Sequence, residues 1–214
     1  MKRILIFGAG SYIAQNFIST FDKEFDFTPI YRKGNGLVYD FLNPNTANSF
    51  ISKLSGNFDG ILFCQGLNPS MGAREIAREH FLDMLSVNLV EPAILLQQLH
   101  PILNKGSGIL LFSSIATKKG SYDPGYASSK SGLKGLIYSL ASAYPEFRFN
   151  LISLGLVKGS PVEKAMTTDF KEKHYSKMFD KKLIQINNVL GIISECIVNQ
   201  NLHLSEISLD GGYK

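Results

Sequence analysis

Tyr126 and Lys130 stand four residues apart in the run Tyr126-Ala127-Ser128-Ser129-Lys130, a spacing that puts both on one face of a helix. A phenol with an ordinary pKa of about 10 is a poor acid or base at neutral pH, and an ammonium one turn away favours its phenolate. Ser114 lies twelve residues earlier, at the end of the apolar run Ile109-Leu110-Leu111-Phe112. From a strand end its hydroxyl can hydrogen-bond a carbonyl or alkoxide oxygen while Tyr126 gives or takes the proton. Ser113 is its neighbour, and because alternate residues of a strand face opposite ways, the residues alone leave both serines open. Asn88 adds a backbone acceptor. Pro92 follows it by four residues in an otherwise helical run, so the Asn88 carbonyl has no i+4 amide to bond. Either that carbonyl is freed for a water, or the proline is a plain kink.

A second constellation opens the chain. Gly8-Ala9-Gly10-Ser11-Tyr12-Ile13-Ala14 follows the apolar run Ile4-Leu5-Ile6-Phe7 and leads into a helical stretch. Glycine at position 8 permits a tight turn, and the helix behind it offers free N–H groups and a partial positive charge to a pyrophosphate. Gly8-x-Gly10 alone is also what a tight strand-to-helix loop looks like, but its place after a buried first strand points to a dinucleotide. About twenty residues on, such folds place a carboxylate for NAD or a basic group for NADP. Here the second strand ends Tyr31-Arg32-Lys33, with no acid at its tip, and Asp26 precedes the strand. A guanidinium can stack on adenine and pair with a 2′-phosphate. The expected cofactor is therefore NADP, with NAD second and an ordinary basic loop as the bland alternative.

These residues need a scaffold, and the chain alternates short β-rich runs with longer helical ones. Strands are expected at Ile4–Phe7, Phe27–Tyr31, Leu37–Tyr39, Gly60–Cys64, Gly108–Phe112, Phe147–Ile152 and Ile207–Leu209. Helices are expected over Ser11–Phe21 (Ile13, Phe17 and Ile18 inward), Pro44–Leu54, Ala73–Leu103, Tyr126–Ala143 and Leu183–Val198. Pro161–Met178 is charged, aromatic and poorly periodic. Several strands lack polar alternation, as strands buried on both faces of a parallel sheet do. Strands alternating with helices imply right-handed βαβ units, hence a Rossmann-like, doubly wound parallel α/β sheet. Ligands of such sheets sit beyond the carboxyl ends of the strands. No repeat or linker divides residues 1–214, so a single domain is expected.

Composition sets the outer limits. The chain has 214 residues, 44% hydrophobic and 19% charged, which excludes disorder, collagen and coiled coil. Two cysteines exclude a disulfide framework, and Cys64 and Cys196 read as small buried hydrophobes. The four histidines show no metal-ligand spacing, so no metal site is expected. The net charge of +4 is spread out, and its densest part, Lys171 to Lys182, is interleaved with Glu172, Asp180 and aromatics; it reads as a solvated face, not a nucleic-acid surface. No apolar stretch approaches the roughly 20 residues that span a bilayer, and Gly8 ends the first apolar run too soon for a signal peptide. No membrane role is expected, and the default address is the cytoplasm.

Taken together, the chain resembles the short-chain dehydrogenase/reductase family over nearly its whole length. The matching features are the Gly8 turn, Asp40 after the third strand, Gly66 after the fourth, Asn88, Ser114, the Tyr126/Lys130 pair, Gly155 and the terminal Asp210-Gly211-Gly212. The resemblance implies hydride transfer between a nicotinamide cofactor and a carbonyl/alcohol pair. It implies Tyr126 as general acid/base and Lys130 as holder of the nicotinamide ribose, with Ser114 orienting the substrate oxygen and Asn88 anchoring a relay water. The family's Ser-Ser-apolar-small pattern selects Ser114 over Ser113. The cofactor would lie on Gly8, Gly10, Ser11, Tyr12, Ile13, Arg32, Asp40, Phe41, Gly66, Tyr126, Lys130, Gly155 and Val157. Residues 156–180 would form a substrate lid, with His174, Tyr175 and the nearby Tyr122 as candidate substrate contacts, and relatives suggest a homodimer or homotetramer. The chain departs from the family where Tyr12 and Ala14 replace glycines, and where Phe63-Cys64-Gln65-Gly66 replaces Asn-Asn-Ala-Gly. It departs again where Leu154-Gly155 replaces Pro-Gly, with Gly159 or Ser160 at the usual threonine. Two other outcomes stay open. One is a reductase of carrier-bound 3-oxoacyl groups or sugar derivatives, and the other is a non-catalytic dinucleotide sensor or scaffold.

Overall fold

Every strand of the sheet runs the same way. In the computed structural model, which describes residues 1–46, 50–179 and 181–213, seven strands form one parallel sheet in the order β3-β2-β1-β4-β5-β6-β7. They are β1 (Lys2–Phe7), β2 (Phe25–Tyr31), β3 (Leu37–Val38), β4 (Phe58–Phe63), β5 (Leu103–Ser114), β6 (Arg148–Leu154) and β7 (Ser205–Leu209). The order reverses between β1 and β4, which opens a crevice above their carboxyl ends.

The unbroken apolar strand runs follow from burial on both faces. Leu5 and Phe7 point to one face with Ile61, Phe63, Ile109, Leu111 and Leu151, under Leu95, Leu99, Leu133 and Ile137. Ile4 and Ile6 point to the other with Leu62, Leu110 and Ile152, against Ala14, Phe17, Leu190 and Ile193. The helices that supply these side chains are α1 (Tyr12–Thr20), α3 (Glu91–Leu99), α5 (Pro124–Ala143) and α8 (Ile186–Val198), while α2 (Arg78–Leu85) buries Met84. In α1 the fully buried residues are Ala14 and Phe17; the expected inward residues Ile13 and Ile18 are half-buried at its flanks.

Three expectations need correction. The helix expected over Ala73–Leu103 is four elements: α2, a π turn at Ser86–Val90, α3 and a 3₁₀ turn at His100–Ile102. Pro92 explains the break, because it cannot donate to Asn88 and the ladder shifts to wider spacing, the Glu91 N–H bonding the Ser86 carbonyl. The strand expected at Gly108–Phe112 extends from Leu103 to Ser114, which carries both serines inside β5. The poorly periodic stretch from Pro161 holds two short helices, α6 (Pro161–Ala165) and α7 (Thr168–Tyr175), capped by the Ser160 and Thr167 side chains. A four-residue helix, α4 (Ala116–Lys119), follows β5 directly. Of the helix expected over Pro44–Leu54, Pro44–Thr46 forms a 3₁₀ turn, and residues 47–49 lie outside the described residues. Among the described residues no helix is long and apolar enough to cross a membrane, and no cluster of three or more His, Cys, Asp or Glu is placed to hold a metal.

Candidate active site

Ser114, Tyr126 and Lys130 meet where β5 ends against the first turns of α5. The Ser114 hydroxyl lies beside the Tyr126 phenol, where it favours the phenolate, and it accepts the Ala116 N–H at 3.1 Å. Ser113 faces the other way and donates to the Lys130 carbonyl at 3.3 Å, so of the two serines Ser114 is the one beside the phenol. The Lys130 ammonium is buried and donates to the Phe112 carbonyl at 2.8 Å. Burial pushes it down to about 8.

The phenol departs from the sequence expectation. Burial raises the Tyr126 pKa, and the opposing influence is the Ser114 hydroxyl. No lowering by Lys130 accompanies it, and the Lys130 ammonium donates to the Phe112 carbonyl at the strand end.

Asn88 lies in the π turn, 2% exposed, and its side chain is fully engaged. Its Oδ1 accepts the Leu67 N–H at 3.2 Å, and its Nδ2 donates to Ser129 Oγ of α5 at 3.2 Å. The π turn also leaves the Val87 carbonyl without the Glu91 N–H, and Gln65 Nε2 reaches that carbonyl in a long 3.4 Å contact. Asn88 thus ties α5 to the loop that leaves β4. Gly66 stands where that loop passes Asn88 and Lys130: a Cβ there would lie 3.3 Å from Asn88 Oδ1 and 3.8 Å from Lys130 Nζ.

A cavity of about 330 Å³ fills the crevice between β1 and β4. Its lining includes Gly8, Gly10, Ser11, Arg32, Asp40, Phe41 and Gly66, all expected from the sequence. It also includes Tyr31, Lys33, Cys64, Gln65, Leu67 and Val87, which the sequence reading did not assign to it. Gly8 sits at φ +68°, and a Cβ there would stand 2.5 Å from the Gln65 backbone nitrogen. Only glycine allows that approach. Ser11 caps α1 by accepting the Ala14 N–H, so the helix N-terminus lies at the mouth of the turn. Arg32, its side chain 60% exposed, pairs through Nε with Asp40 Oδ1 at 3.6 Å. Gln65 Oε1 is buried with no hydrogen-bond partner. An orphaned acceptor, a glycine-tight backbone and a helix N-terminus in one crevice suit a ligand rich in hydroxyl and phosphate groups.

The other expected cofactor residues do not line this cavity. Ile13 packs on the core, and Val157 is buried beside Ile184. Gly155 backs onto β7, where a Cβ would meet Asp210 Cα at 3.0 Å. Tyr12 reaches across to the segment after β6, its hydroxyl donating to the Lys158 carbonyl at 3.2 Å beside Gly159. In α7, His174 is buried and packs tilted against Tyr213 at 4.8 Å between ring centroids, and Tyr175 is half-buried. Tyr122 donates its hydroxyl to the Pro69 carbonyl at 2.6 Å. Cys196 is buried as expected, but Cys64 is half-buried on the cavity wall. Burial holds both thiols well up, the Cys196 thiol at about 11, so neither is a ready nucleophile.

Asp123 was not singled out from the sequence. It is wholly buried, caps α5 by accepting the Tyr126 N–H at 3.1 Å, and receives His80 Nε2 at 2.7 Å. Burial works to raise its pKa, but the hydrogen bonds from His80, Ser70, Tyr126 and Met71 prevail and hold it down at about 2. A depressed carboxyl stabilises the fold above its unfolded pKa of about 4. That contribution is lost as the pH falls toward 2. Acid titration of wild type and Asp123→Asn by circular dichroism is expected to show a stability loss in this window that the variant lacks.

The crevice lies at the switch point of a doubly wound parallel α/β sheet, with the Ser-Tyr-Lys cluster at the end of β5. The family profile described as enoyl-(acyl carrier protein) reductase matches residues 42–213. The human "Dehydrogenase/reductase SDR family member 2, mitochondrial" is 35% identical over 133 residues, 56% of this chain and 46% of that protein. The chain therefore spans less than half the length of that relative. Among solved structures, 4-hydroxyisoleucine dehydrogenase complexed with NADH superposes at a TM-score of 0.87 with 20% identity, covering 100% of this chain and 99% of that one. BdcA in complex with NADPH superposes at 0.83 with 18% identity, covering 99% and 94%. The chain belongs to the short-chain dehydrogenase/reductase family.

Proposed function

We propose that the protein is an NADP(H)-dependent oxidoreductase that moves a hydride between the nicotinamide and a small carbonyl or alcohol substrate. The observation that carries this is the Ser114–Tyr126 pair, set beside Lys130 and Asn88 where Gly66 links them to the crevice. Bound, the nicotinamide supplies or takes the hydride. The chain's own residues do the rest: the Gly8–Gly10 turn, Ser11 and the α1 N-terminus hold the pyrophosphate, with Arg32 on the 2′-phosphate and Asp40 and Phe41 on the adenosine. Lys130 holds the nicotinamide ribose. Ser114 orients the substrate oxygen, and Tyr126 exchanges its proton with that oxygen. Residues 156–180, which include α6 and α7, cover the substrate.

NADPH and NADH titrations followed by fluorescence test the cofactor. NADPH is expected to bind about 10- to 100-fold more tightly than NADH, the worth of one charge-assisted contact to a phosphate. Arg32→Ala is expected to abolish that preference. Binding of neither nucleotide would overturn the oxidoreductase reading in favour of a scaffold. A second reading, reduction of an acyl group held on a carrier protein, draws on the description of the matching family profile. Exposed Leu82, Val90, Ile94 and Tyr138, on α2, the π turn, α3 and α5, support a homodimer or homotetramer.

A further inference from the structure

Asp123 accepts more bonds than a helix cap requires. A serine or threonine at this position would satisfy one N–H of α5. A carboxylate offers lone pairs for about four donors, and Asp123 spends them on three parts of the fold. Oδ1 takes the Tyr126 N–H of α5, while Oδ2 takes Ser70 N–H at 3.0 Å, Met71 N–H at 3.3 Å and His80 Nε2 of α2. Ser70 and Met71 belong to the loop that leaves β4 past the crevice. Its other end is pinned by Asn88 at Leu67, and its middle by the Tyr122 hydroxyl at Pro69. Leu67 lines the crevice. Gly125 lets α2 and α5 close together beside the carboxylate, since a Cβ there would be 3.3 Å from both Phe81 Cα and Met84 Cβ.

We propose that Asp123, held by His80, is a positioning residue for the reaction: it locks the 67–71 loop to the turn of α5 that carries Tyr126. The two polar nodes, Asn88 and Asp123, then fix the phenol relative to the Gly66–Leu67 end of the crevice. This rests on the reading of Tyr126 as the acid/base. Proton and hydride transfer are sensitive to displacements of about 1 Å, so a loosened loop lowers turnover before it weakens nucleotide binding.

The test uses Asp123→Asn, His80→Gln and His80→Leu in the full chain. Asparagine keeps an oxygen for the Tyr126 N–H and caps helices as well as aspartate, but its NH₂ cannot accept from Ser70 and Met71. Asp123→Asn is expected to lower kcat about 10- to 100-fold and to leave the NADPH Kd within about twofold. Hydrogen exchange at the Ser70 and Met71 amides is expected to quicken while that at Tyr126 holds. His80→Gln, which keeps an N–H donor, is expected to lose less rate than His80→Leu. Unchanged exchange at Ser70 and Met71 overturns the proposal, whatever the turnover. So does a kcat that falls only in proportion to the folded fraction, which is what a merely structural cap would give. A parent protein that binds no nicotinamide nucleotide overturns the oxidoreductase reading instead, and the exchange data tell the two failures apart.

Discussion

Replacing Tyr126 with phenylalanine is expected to cut turnover about 10²- to 10⁴-fold, the range of general acid–base catalysis, while NADPH binding changes by no more than a few-fold. The ring stays in place, Ser114 still accepts the Ala116 N–H, and only the exchangeable proton is lost. The pH profile separates this from a packing effect. Burial raises the phenol's pKa, so the acid form persists across neutral pH. Carbonyl reduction should be level there and decline only at strongly alkaline pH, as the buried phenol loses its proton. Alcohol oxidation, which needs the base form, should rise over the same range. Tyr126→Phe should show neither limb, measured as initial rates in both directions from pH 6 to about 11. A variant that keeps a parental profile would remove Tyr126 from the reaction.

Arg148→Ala is expected to give the largest stability loss, about 3–5 kcal/mol. The side chain rises from the start of β6 and donates to five carbonyls: Gly106, Cys196, Ile197, Asn199 and Leu202. Three of these belong to the last turn of α8 and the residue after it, where no intrahelical N–H remains to bond them. A cation there also opposes the negative end of the helix dipole. Gly108 makes the room, since a Cβ would stand 3.2 Å from the guanidinium. At about 2–4 °C per kcal/mol for a chain of this size, thermal melts should drop by roughly 6–20 °C. Arg148→Lys should recover a part only, because an ammonium is a point donor where a planar fork is needed.

The parallel sheet was legible because a strand buried on both faces must be apolar at every position, as Ile4–Phe7 and Ile109–Phe112 are. The break in the helix expected over Ala73–Leu103 was hidden. Pro92 suggests a kink, but a π turn depends on which carbonyl the Glu91 N–H finds. The short helix α6 carries a start signal in its sequence, Ser160-Pro161 with Glu163 three residues after the cap, and α7 has its cap in Thr167. They lack an apolar stripe, so periodicity was silent. In the candidate site, Ser114, Tyr126 and Lys130 stood out because their spacing is local. Asp123, His80 and Gln65 did not, because, the Asp123 cap on Tyr126 aside, their partners lie 22 to 53 residues away and only the fold brings them together.

The parallel strand order has a consequence for how the molecule is made. β1 pairs with β2 on one edge, but its other edge waits for β4, as Ile4 opposite Gly60 shows. Until β4 has emerged from the ribosome, the Ile4–Phe7 ribbon has an unpaired edge and is apolar on both faces. The Arg148 clasp cannot close until α8 has followed β6. Long-range closures of this kind slow folding and prolong the exposure of aggregation-prone intermediates. Soluble yield should therefore depend on synthesis rate and temperature more steeply than the stability of the finished fold suggests.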